Sequence, residues 1–547
     1  MRIIAAIEVD LDRSPIGTRS RLADDLRGEP VLRRTIGRLA GCREFDGLFV
    51  LCPPEQHDRA TDLAAGLDVA VETHGAGAAA HQQLVQLSRK WALDAWRGGV
   101  AGTCCFDEHI HPGVLAALAE REKAEAVLSI CPAGVLADAS LADAMARHFR
   151  QHAQLMRLTF SQAPPGLAPA IFAVELLTQL RDKGLAPGFA LAYRPQEPQP
   201  DMIAKDCCYR APAEIIHTAG RFVADCDRGL ARLTAAMEAI DGQLDRTTAL
   251  DVCRWTRRHY DRHVDDLPRE VEIELTTEDQ LARSVLRPRG SVVGRRGPIN
   301  LEMIDRLAAE LARYDDSLVV LGGFGEPLLH PQFPEILRRL REAGVYGVAV
   351  RTNGVALDAS AIDAICTHKV DVLSVLLDAA TAEMYRRVHQ ADCFDQVCAN
   401  IDAMIAARRQ RAQPAPLIVP EMVKDVDTAG QMEQFFDHWI TRVGWAVIDG
   451  YSDYASQLPD RCVVNMAPSR RVACRRIFTR CAVLADGTVS PCDHDFAGRH
   501  AVGSLTSGNL ADLWQASAMQ ELRRNQLAGQ YGQPFPLCPA CRDWDRP

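Results

Sequence analysis

No run of about 18 apolar residues occurs in the chain, so no segment reads as a membrane-spanning helix. Low-complexity tracts and internal repeats are missing as well. An excess of positive charge is absent: 62 Lys and Arg face 72 Asp and Glu, a net charge of −10, which favours solubility and argues against a nucleic-acid partner. The first residues lack the pattern of a secretory signal, because Glu8 and Asp10 follow the apolar run at once and no small-residue cleavage site comes after it. A cytosolic protein is therefore expected. In that reducing setting the 18 cysteines are expected to be free thiols, metal ligands or redox groups rather than disulfides.

What is present can build real cores. The chain has 547 residues, 47% of them hydrophobic, which excludes disorder and small disulfide scaffolds. At roughly 150 residues per domain it should form about three or four units. Residues 1–240 open with a strand at Ile3–Ile7, then a polar loop, a helical pattern from Val31, and a second strand over Gly47–Leu51. Apolar runs without alternation, separated by helical stretches, predict a buried and mainly parallel sheet. The Pro-rich text at 194–200 reads as a loop within this unit, and 228–265 as a charged helical connector. From 271 a second alternation begins. Strands are expected at Val271–Leu275, Leu318–Leu321, Gly347–Val350, Val370–Leu377, Leu417–Val423 and Trp445–Asp449. Helices are expected at 301–313, 333–343, 359–367, 381–408 and 429–441. Such a βα series implies a parallel sheet, open or rolled into a partial barrel, with its chemistry at the carboxyl ends of the strands.

The final stretch has few regular periods and closely spaced cysteines, the profile of a small domain organised by a metal. Cys538 and Cys541 form a C-x2-C, whose chain reversal lets two sulfurs grip one site. Cys474 and Cys492 flank an expected hairpin with its turn at Asp486-Gly487. The hairpin brings both ends together. Four thiolates complete a [4Fe–4S] cluster or a tetrahedral zinc site, and the residue types leave that choice open.

Cys474, Gly487, Cys492 and the distant C-x2-C, with the intervening text from Val502 to Arg523, resemble the SPASM auxiliary-cluster domain of radical SAM enzymes. The chain resembles its shortened "twitch" form, since it stops soon after Cys541. The resemblance implies Cys474, Cys492, Cys538 and Cys541 as ligands of one cluster and leaves Cys481 to core packing. Arg470, Arg471, Arg475, Arg476 and Arg480 crowd the same segment, where positive charge would stabilise a reduced cluster and raise its potential; a solvated surface face is the other reading.

Upstream, Gly322-Gly323-Phe324-Gly325-Glu326-Pro327 follows an expected strand, where glycines let main-chain groups approach a ligand. With Thr352-Asn353-Gly354 and Ser374-Val375-Leu376-Leu377-Asp378 on the next two strands, residues 271–450 resemble the radical SAM partial barrel. The resemblance implies that Gly322, Gly323, Gly325, Glu326, Thr352, Asn353 and Ser374 bind S-adenosylmethionine. It also shows a loss. Where the family carries C-x3-C-x2-C, this chain has Asp279, Arg283 and Leu286, and no cysteine occurs between Cys253 and Cys366. Arg and Leu cannot ligate iron and one Asp cannot hold a cluster, so reductive cleavage of S-adenosylmethionine is not expected. Two readings follow: the barrel still binds S-adenosylmethionine or a related amino-acid ligand, with Arg283 filling the space the cluster leaves, or it is a scaffold that positions a partner or substrate against the C-terminal cluster.

The first unit resembles GT-A-like nucleotidyltransferases through its first strand, the run Ile16-Gly17-Thr18-Arg19-Ser20-Arg21-Leu22, and Gly28-Glu29-Pro30-Val31-Leu32-Arg33-Arg34-Thr35-Ile36. Gly17, Arg19 and Arg21 would then hold a triphosphate, and Asp107 with Asp227 (or Asp225) a Mg²⁺ ion. Glu29 stands where that family often has Lys. His109 and His111 are expected as turn or surface residues.

The expectation is an α/β chain with a Rossmann-like GT-A nucleotidyltransferase fold at 1–240 and a helical connector at 241–268. A degenerate, TIM-like partial (β/α)6 radical SAM barrel follows at 269–455, then a SPASM/twitch iron–sulfur domain at 456–547. The function expected is that of a one-cluster iron–sulfur protein unable to start radical chemistry alone, acting in a peptide or envelope-component modification pathway. It would work with a peptide or small-molecule substrate and a partner radical enzyme or reductase. Nucleotidyl transfer by 1–240, or a non-enzymatic adaptor role, are the alternatives.

Overall fold

The computed structural model describes residues 1–75, 79–98, 100–192, 200–240, 246–259 and 265–546. The loop expected at 194–200 falls almost wholly outside them, as do 241–245 and 260–264 of the expected connector. Two compact units form, Met1–Tyr260 and Asp261–Pro547.

The first unit is built on β1 (Ile3–Glu8), β2 (Leu48–Cys52), β3 (Ala70–Thr73), β4 (Ala126–Ser129), β5 (Leu158–Ser161), β6 (Ala170–Ala173) and β7 (Cys208–Tyr209), in the order β3-β2-β1-β4-β6-β5-β7. β1 is parallel to β2 and β4, and β6 runs antiparallel to both neighbours. The missing alternation in β1 has a simple cause. Ile3, Ala5 and Ile7 join one core cluster, and Ile4 and Ala6 join another, so both faces of the strand are buried. Where the connector was expected, the described residues form two helices, Asp227–Ala239 and Ala249–Arg258. The second starts with a reciprocal cap between Thr248 and Asp251.

The second unit holds β8 (Glu270–Glu274), β9 (Leu318–Gly322), β10 (Gly347–Thr352), β11 (Val372–Leu376), β12 (Leu417–Lys424) and β13 (Val447–Gly450) as a parallel run, each strand beside the next. All six lie within a residue or two of their expected positions. One expectation needs correction: 381–408 is two helices, Ala382–His389 and Phe394–Gln410. Gln390 ends the first in the left-handed conformation (φ 52°), which an interior helical residue cannot adopt. The sheet continues through β14 (Arg480–Val483), β15 (Thr488–Ser490) and β16 (Gly503–Ser504), with β14 parallel to β8 and the last two antiparallel. The cysteine-bearing hairpin is thus an extension of the barrel sheet.

Candidate functional sites

Two short structures carry the C-terminal thiols. Cys474 leads into the helical turn Arg476–Thr479 and β14, and Cys492 follows β15. The turn between the strands closes where expected: Leu484 N donates to Thr488 O at 2.8 Å, and Gly487 takes φ 85°. Cys538 opens a single 3-10 turn that Cys541 closes by donating its N–H to the Cys538 carbonyl at 3.1 Å. Burial pushes the Cys474 thiol up to about 11, aided by the charges of Cys492 and Cys541. The Cys538 thiol rises to about 12 through burial and the nearness of Cys492, Cys474 and Cys541. Thiols gathered this closely suit a metal centre, whose positive charge replaces their protons on binding. The donor set fits an iron–sulfur cluster. Among the described residues, the one group of three metal-ligating side chains with atoms within 4.8 Å of one another is Cys492, Asp493 and His494.

Cys481 is buried in the core, its thiol pushed up to about 12 by that burial. Of the arginines, Arg476 binds Asp493 at 3.1 Å, Arg480 faces Glu270 at 3.7 Å, and Arg471 stacks 4.3 Å over Tyr531. Arg470 and Arg475 are exposed. Only part of this basic segment is therefore a solvated face.

At the ends of β9 and β10 the loop residues form one hydrogen-bonded unit. Gly325 has no room for a side chain, since a Cβ there would stand 2.0 Å from the Thr276 carbonyl oxygen; Gly323 needs φ 83°. Gly322 sits at the end of β9, 3.4 Å from the Arg351 side chain by the same measure. Glu326 accepts hydrogen bonds from Thr352 Oγ1 (2.7 Å), Asn353 N (2.7 Å) and Leu328 N (3.1 Å). Ser374 shares a level of the sheet with Arg351 and Val419.

The three positions without cysteine go separate ways. Asp279 Oδ1 accepts from Asn353 Nδ2 at 2.8 Å, and Asp279 Oδ2 pairs with Arg289 Nε at 2.9 Å. Leu286 packs with Val388, Val423 and Tyr451. Arg283 is exposed, against the reading in which it fills the cluster space: Leu281 turns into the core while Ala282 and Arg283 face solvent. The guanidinium beside the glycine loop belongs to Arg289, which donates Nη1–H to the carbonyls of Gly323 (3.3 Å) and Gly325 (3.5 Å). Arg287 pairs through both terminal nitrogens with buried Asp378. The residue spacing that marks Arg283 gives no sign that Arg287 and Arg289 are the arginines that turn inward.

Burial pushes the Glu326 carboxyl up to about 7 despite its three donors. That lies above the ordinary 4.5, so between these values the folded chain keeps a proton that the unfolded chain has released. Stability of the second unit should fall as pH rises across that window, by on the order of 3 kcal/mol, and level off above it. Glu326→Gln is expected to abolish the slope, as urea unfolding at pH 5 and pH 7.5 will show.

In the first unit a cavity of 440 Å³ opens at the carboxyl ends of β1, β2 and β4, lined by Glu8, Val9, Pro53 and Cys131 among others. In open α/β sheets that end of the strands, where strand order reverses, is where ligands bind. Arg21 and Asp107 line it; Gly17, Arg19 and Asp227 do not. Gly17 turns against Gln86, Arg19 is exposed and pairs with Asp24 at 2.6 Å, and Asp227 pairs with Arg21 at 2.6 Å. Glu29 pairs with Arg33 and Arg34. Both Asp107 oxygens are engaged, accepting from Cys104 N and Gly188 N at 2.7 Å each. Asp225 pairs with Arg221, which also holds Glu108 at 2.8 Å. His109 is a turn residue, as expected, but buried, and His111 is half-buried. His109 lies in the cavity wall with its pKa lowered to about 4 by burial, and His111 Nδ1 donates to Glu8 at 2.8 Å. Arg13, on the same wall, escaped notice because its loop position carried no motif.

Asp107→Ala leaves two buried N–H groups without acceptors, so it is expected to destabilise the first unit by about 2–4 kcal/mol, whatever the cavity binds. Urea unfolding followed by far-ultraviolet circular dichroism checks this. An unchanged midpoint would show that the Asp107 contacts carry no stability.

Comparison with known proteins matches two segments of the chain. Residues 287–412 match the radical SAM superfamily, and residues 474–543 match the SPASM iron–sulfur cluster-binding domain. An uncharacterized protein of Treponema pallidum (strain Nichols) is 26% identical over 218 residues, 38% of this chain and 61% of that one. A GTP 3',8-cyclase of Chlorobaculum tepidum is 36% identical over 83 residues, 15% of this chain and 25% of the cyclase. The chain thus spans less than two thirds of the length of either relative. The structure of BtrN in complex with AdoMet and 2-DOIA aligns with 51% of this chain and 94% of its own, at 17% identity and a TM-score of 0.34. Residues 287–412 and 474–543 are thus the radical SAM and SPASM segments of the chain.

Proposed function

We propose that this is an iron–sulfur protein carrying one [4Fe–4S] cluster on Cys474, Cys492, Cys538 and Cys541, with a barrel unable to start radical chemistry by itself. The observation that carries the reading is a contrast. Four thiols are gathered at one end of the second unit, while the barrel positions that would hold a second cluster are an ion-paired Asp279, an exposed Arg283 and a core Leu286.

When bound, such a cluster supplies one-electron transfer or an anchoring point for substrate. The protein contributes buried thiols, a hairpin that holds two of them, and a turn that holds the others. The work fits a pathway that modifies peptides or envelope components, in company with a radical enzyme or a reductase. Iron and sulfide analysis of anaerobically purified protein, with its visible spectrum, is the test. About four irons and a brown colour are expected; colourless protein holding one zinc sinks the reading.

A second reading, Mg²⁺-dependent nucleotidyl transfer by residues 1–240, is favoured by the cavity at the strand ends. Asp227 lies off its lining and Asp107 has both oxygens engaged, so this reading asks the cavity to recruit other acids, of which Glu8, Asp10 and Asp225 are in its wall. Substrate-dependent pyrophosphate release from CTP, UTP or GTP decides it.

A further inference from the structure

His494 stands two residues past Cys492, and Asp543 two residues past Cys541. Both are almost fully buried, and they meet. His494 Nε2 donates to Asp543 Oδ2 at 3.0 Å, and the other ring nitrogen, Nδ1, lies 3.3 Å from the Cys492 sulfur. Main-chain groups repeat the pattern: His494 N donates to Cys492 Sγ at 3.5 Å, and Asp543 N to Cys541 Sγ at 3.4 Å. The carboxylate is itself held, by the Ser452 hydroxyl and by Arg546 Nε at 3.0 Å. Gln457 Nε2 donates to the His494 carbonyl at 2.8 Å, and the Tyr454 ring lies 5.4 Å from the imidazole. Tyr454, Ala455 and Ser456 are consecutive residues in the left-handed region, at φ 51°, 59° and 63°. Non-glycine residues pay strain to sit there, and such runs persist only where surrounding contacts hold them. Here the run delivers Tyr454 to the histidine.

The sequence alone offered no sign of this pair. His494 comes from the hairpin half of the centre and Asp543 from the C-x2-C half, 49 positions apart. One imidazole therefore touches a ligand from the first half and is fixed by a carboxylate from the second. Ligand-orienting partners of this kind are the usual complement of a metal site, and hydrogen bonds to sulfur raise the potential of an iron–sulfur centre by stabilising its more negative, reduced state.

We propose that His494, oriented by Asp543, is a positioning residue of the C-terminal centre. It ties the hairpin ligands to the C-x2-C ligands and, as an imidazolium whose charge the Asp543 carboxylate balances, donates Nδ1–H to the Cys492 sulfur and so raises the potential of the cluster. The proposal rests on the four-sulfur reading above.

The experiment is a redox titration, with iron counts, of full-length protein purified anaerobically as wild type, His494→Phe, His494→Asn and Asp543→Asn. The wild-type iron count tests the four-sulfur reading alone: an iron-free wild type sinks that reading and this one with it. With a loaded wild type, His494→Phe should keep its iron and titrate at a lower potential. A tenfold change in the oxidised-to-reduced ratio at fixed poise, 59 mV for one electron, is the size expected. His494→Asn, which restores an N–H donor, should recover part of the difference, and Asp543→Asn should shift the potential the same way by less. If His494→Phe takes up no iron yet unfolds like metal-free wild type, the tie between the two ligand pairs is supported directly. Full iron with wild-type potential in both His494→Phe and Asp543→Asn overturns the proposal. So does loss of iron together with loss of fold, which would make the pair packing, or ¹⁴N hyperfine coupling of ligand size in the wild-type cluster, which would make His494 a ligand.

Discussion

Cys538→Ser should strip the C-terminal centre, taking iron from about four per chain to below one and removing the visible absorbance. The damage should be local. The hairpin is tied to the barrel by the pairing of β14 with β8, and the following helices by Glu310, which accepts from Leu510 N and Ala511 N at 3.0 and 2.9 Å. Trp514 adds a bond from Nε1 to the Asp265 carbonyl at 2.9 Å. None of these needs the metal. By contrast, the segment 528–546 forms no strand and no helix longer than the single turn Cys538–Ala540. Limited proteolysis of Cys538→Ser should therefore cut within 528–546 and around 462–473 while sparing 480–527. Cys481→Ala is the control: a small buried side chain shrinks, at a cost of about 1 kcal/mol, and the iron stays. Iron retained in Cys538→Ser, or lost in Cys481→Ala, would mean that the ligand set is misassigned.

Two strands of the first sheet and the six parallel strands of the second could be read from the sequence because a strand buried on two faces is a short, mostly apolar run, as in Ile3–Ile7 and Leu318–Leu321. Helix 381–408 was read as one because its apolar spacing carries across Gln390; the break is a backbone conformation that residue type does not announce. The cysteines were legible for the opposite reason, since thiol spacing is constrained by the metal rather than by a core. Side-chain direction was not legible. Arg283, Arg287 and Arg289 alternate within seven residues of one irregular loop, where no helical or strand period says which one turns inward. In the first unit the same limit applies to Arg13 and Arg19, both exposed, of which Arg13 and not Arg19 reaches the cavity wall. His494 and Asp543 illustrate it across 49 positions: a pair made by tertiary folding leaves no local pattern.

Replacing Arg289 should have two large and opposite consequences. Arg289 and Asp279 are a buried ion pair, with side chains 7% and 1% exposed, and the pair lies across the carbonyls of Gly323 and Gly325. Removing one partner strands the other. Arg289→Leu leaves the Asp279 carboxylate with only the Asn353 amide and the Leu281 N–H, and is expected to cost about 3–5 kcal/mol. The double variant Arg289→Leu/Asp279→Leu removes both charges and should recover most of that loss, because a well-packed apolar pair often equals a buried ionic one. The second consequence concerns ligands. Those two carbonyls are acceptors for whatever cation reaches them, and in this chain the cation is its own guanidinium. An ammonium-bearing ligand such as S-adenosylmethionine must first displace Arg289, so the apparent affinity is lowered by the fraction of time the loop is vacated. Arg289→Gly should bind S-adenosylmethionine at least about tenfold more tightly than wild type, a difference of about 1.4 kcal/mol, as calorimetry can resolve. The stability and affinity arms use different variants because leucine would refill the space that glycine opens. Equal stability of wild type and Arg289→Leu would show that the ion pair contributes nothing; equal heats for wild type and Arg289→Gly would show that the guanidinium does not guard the loop.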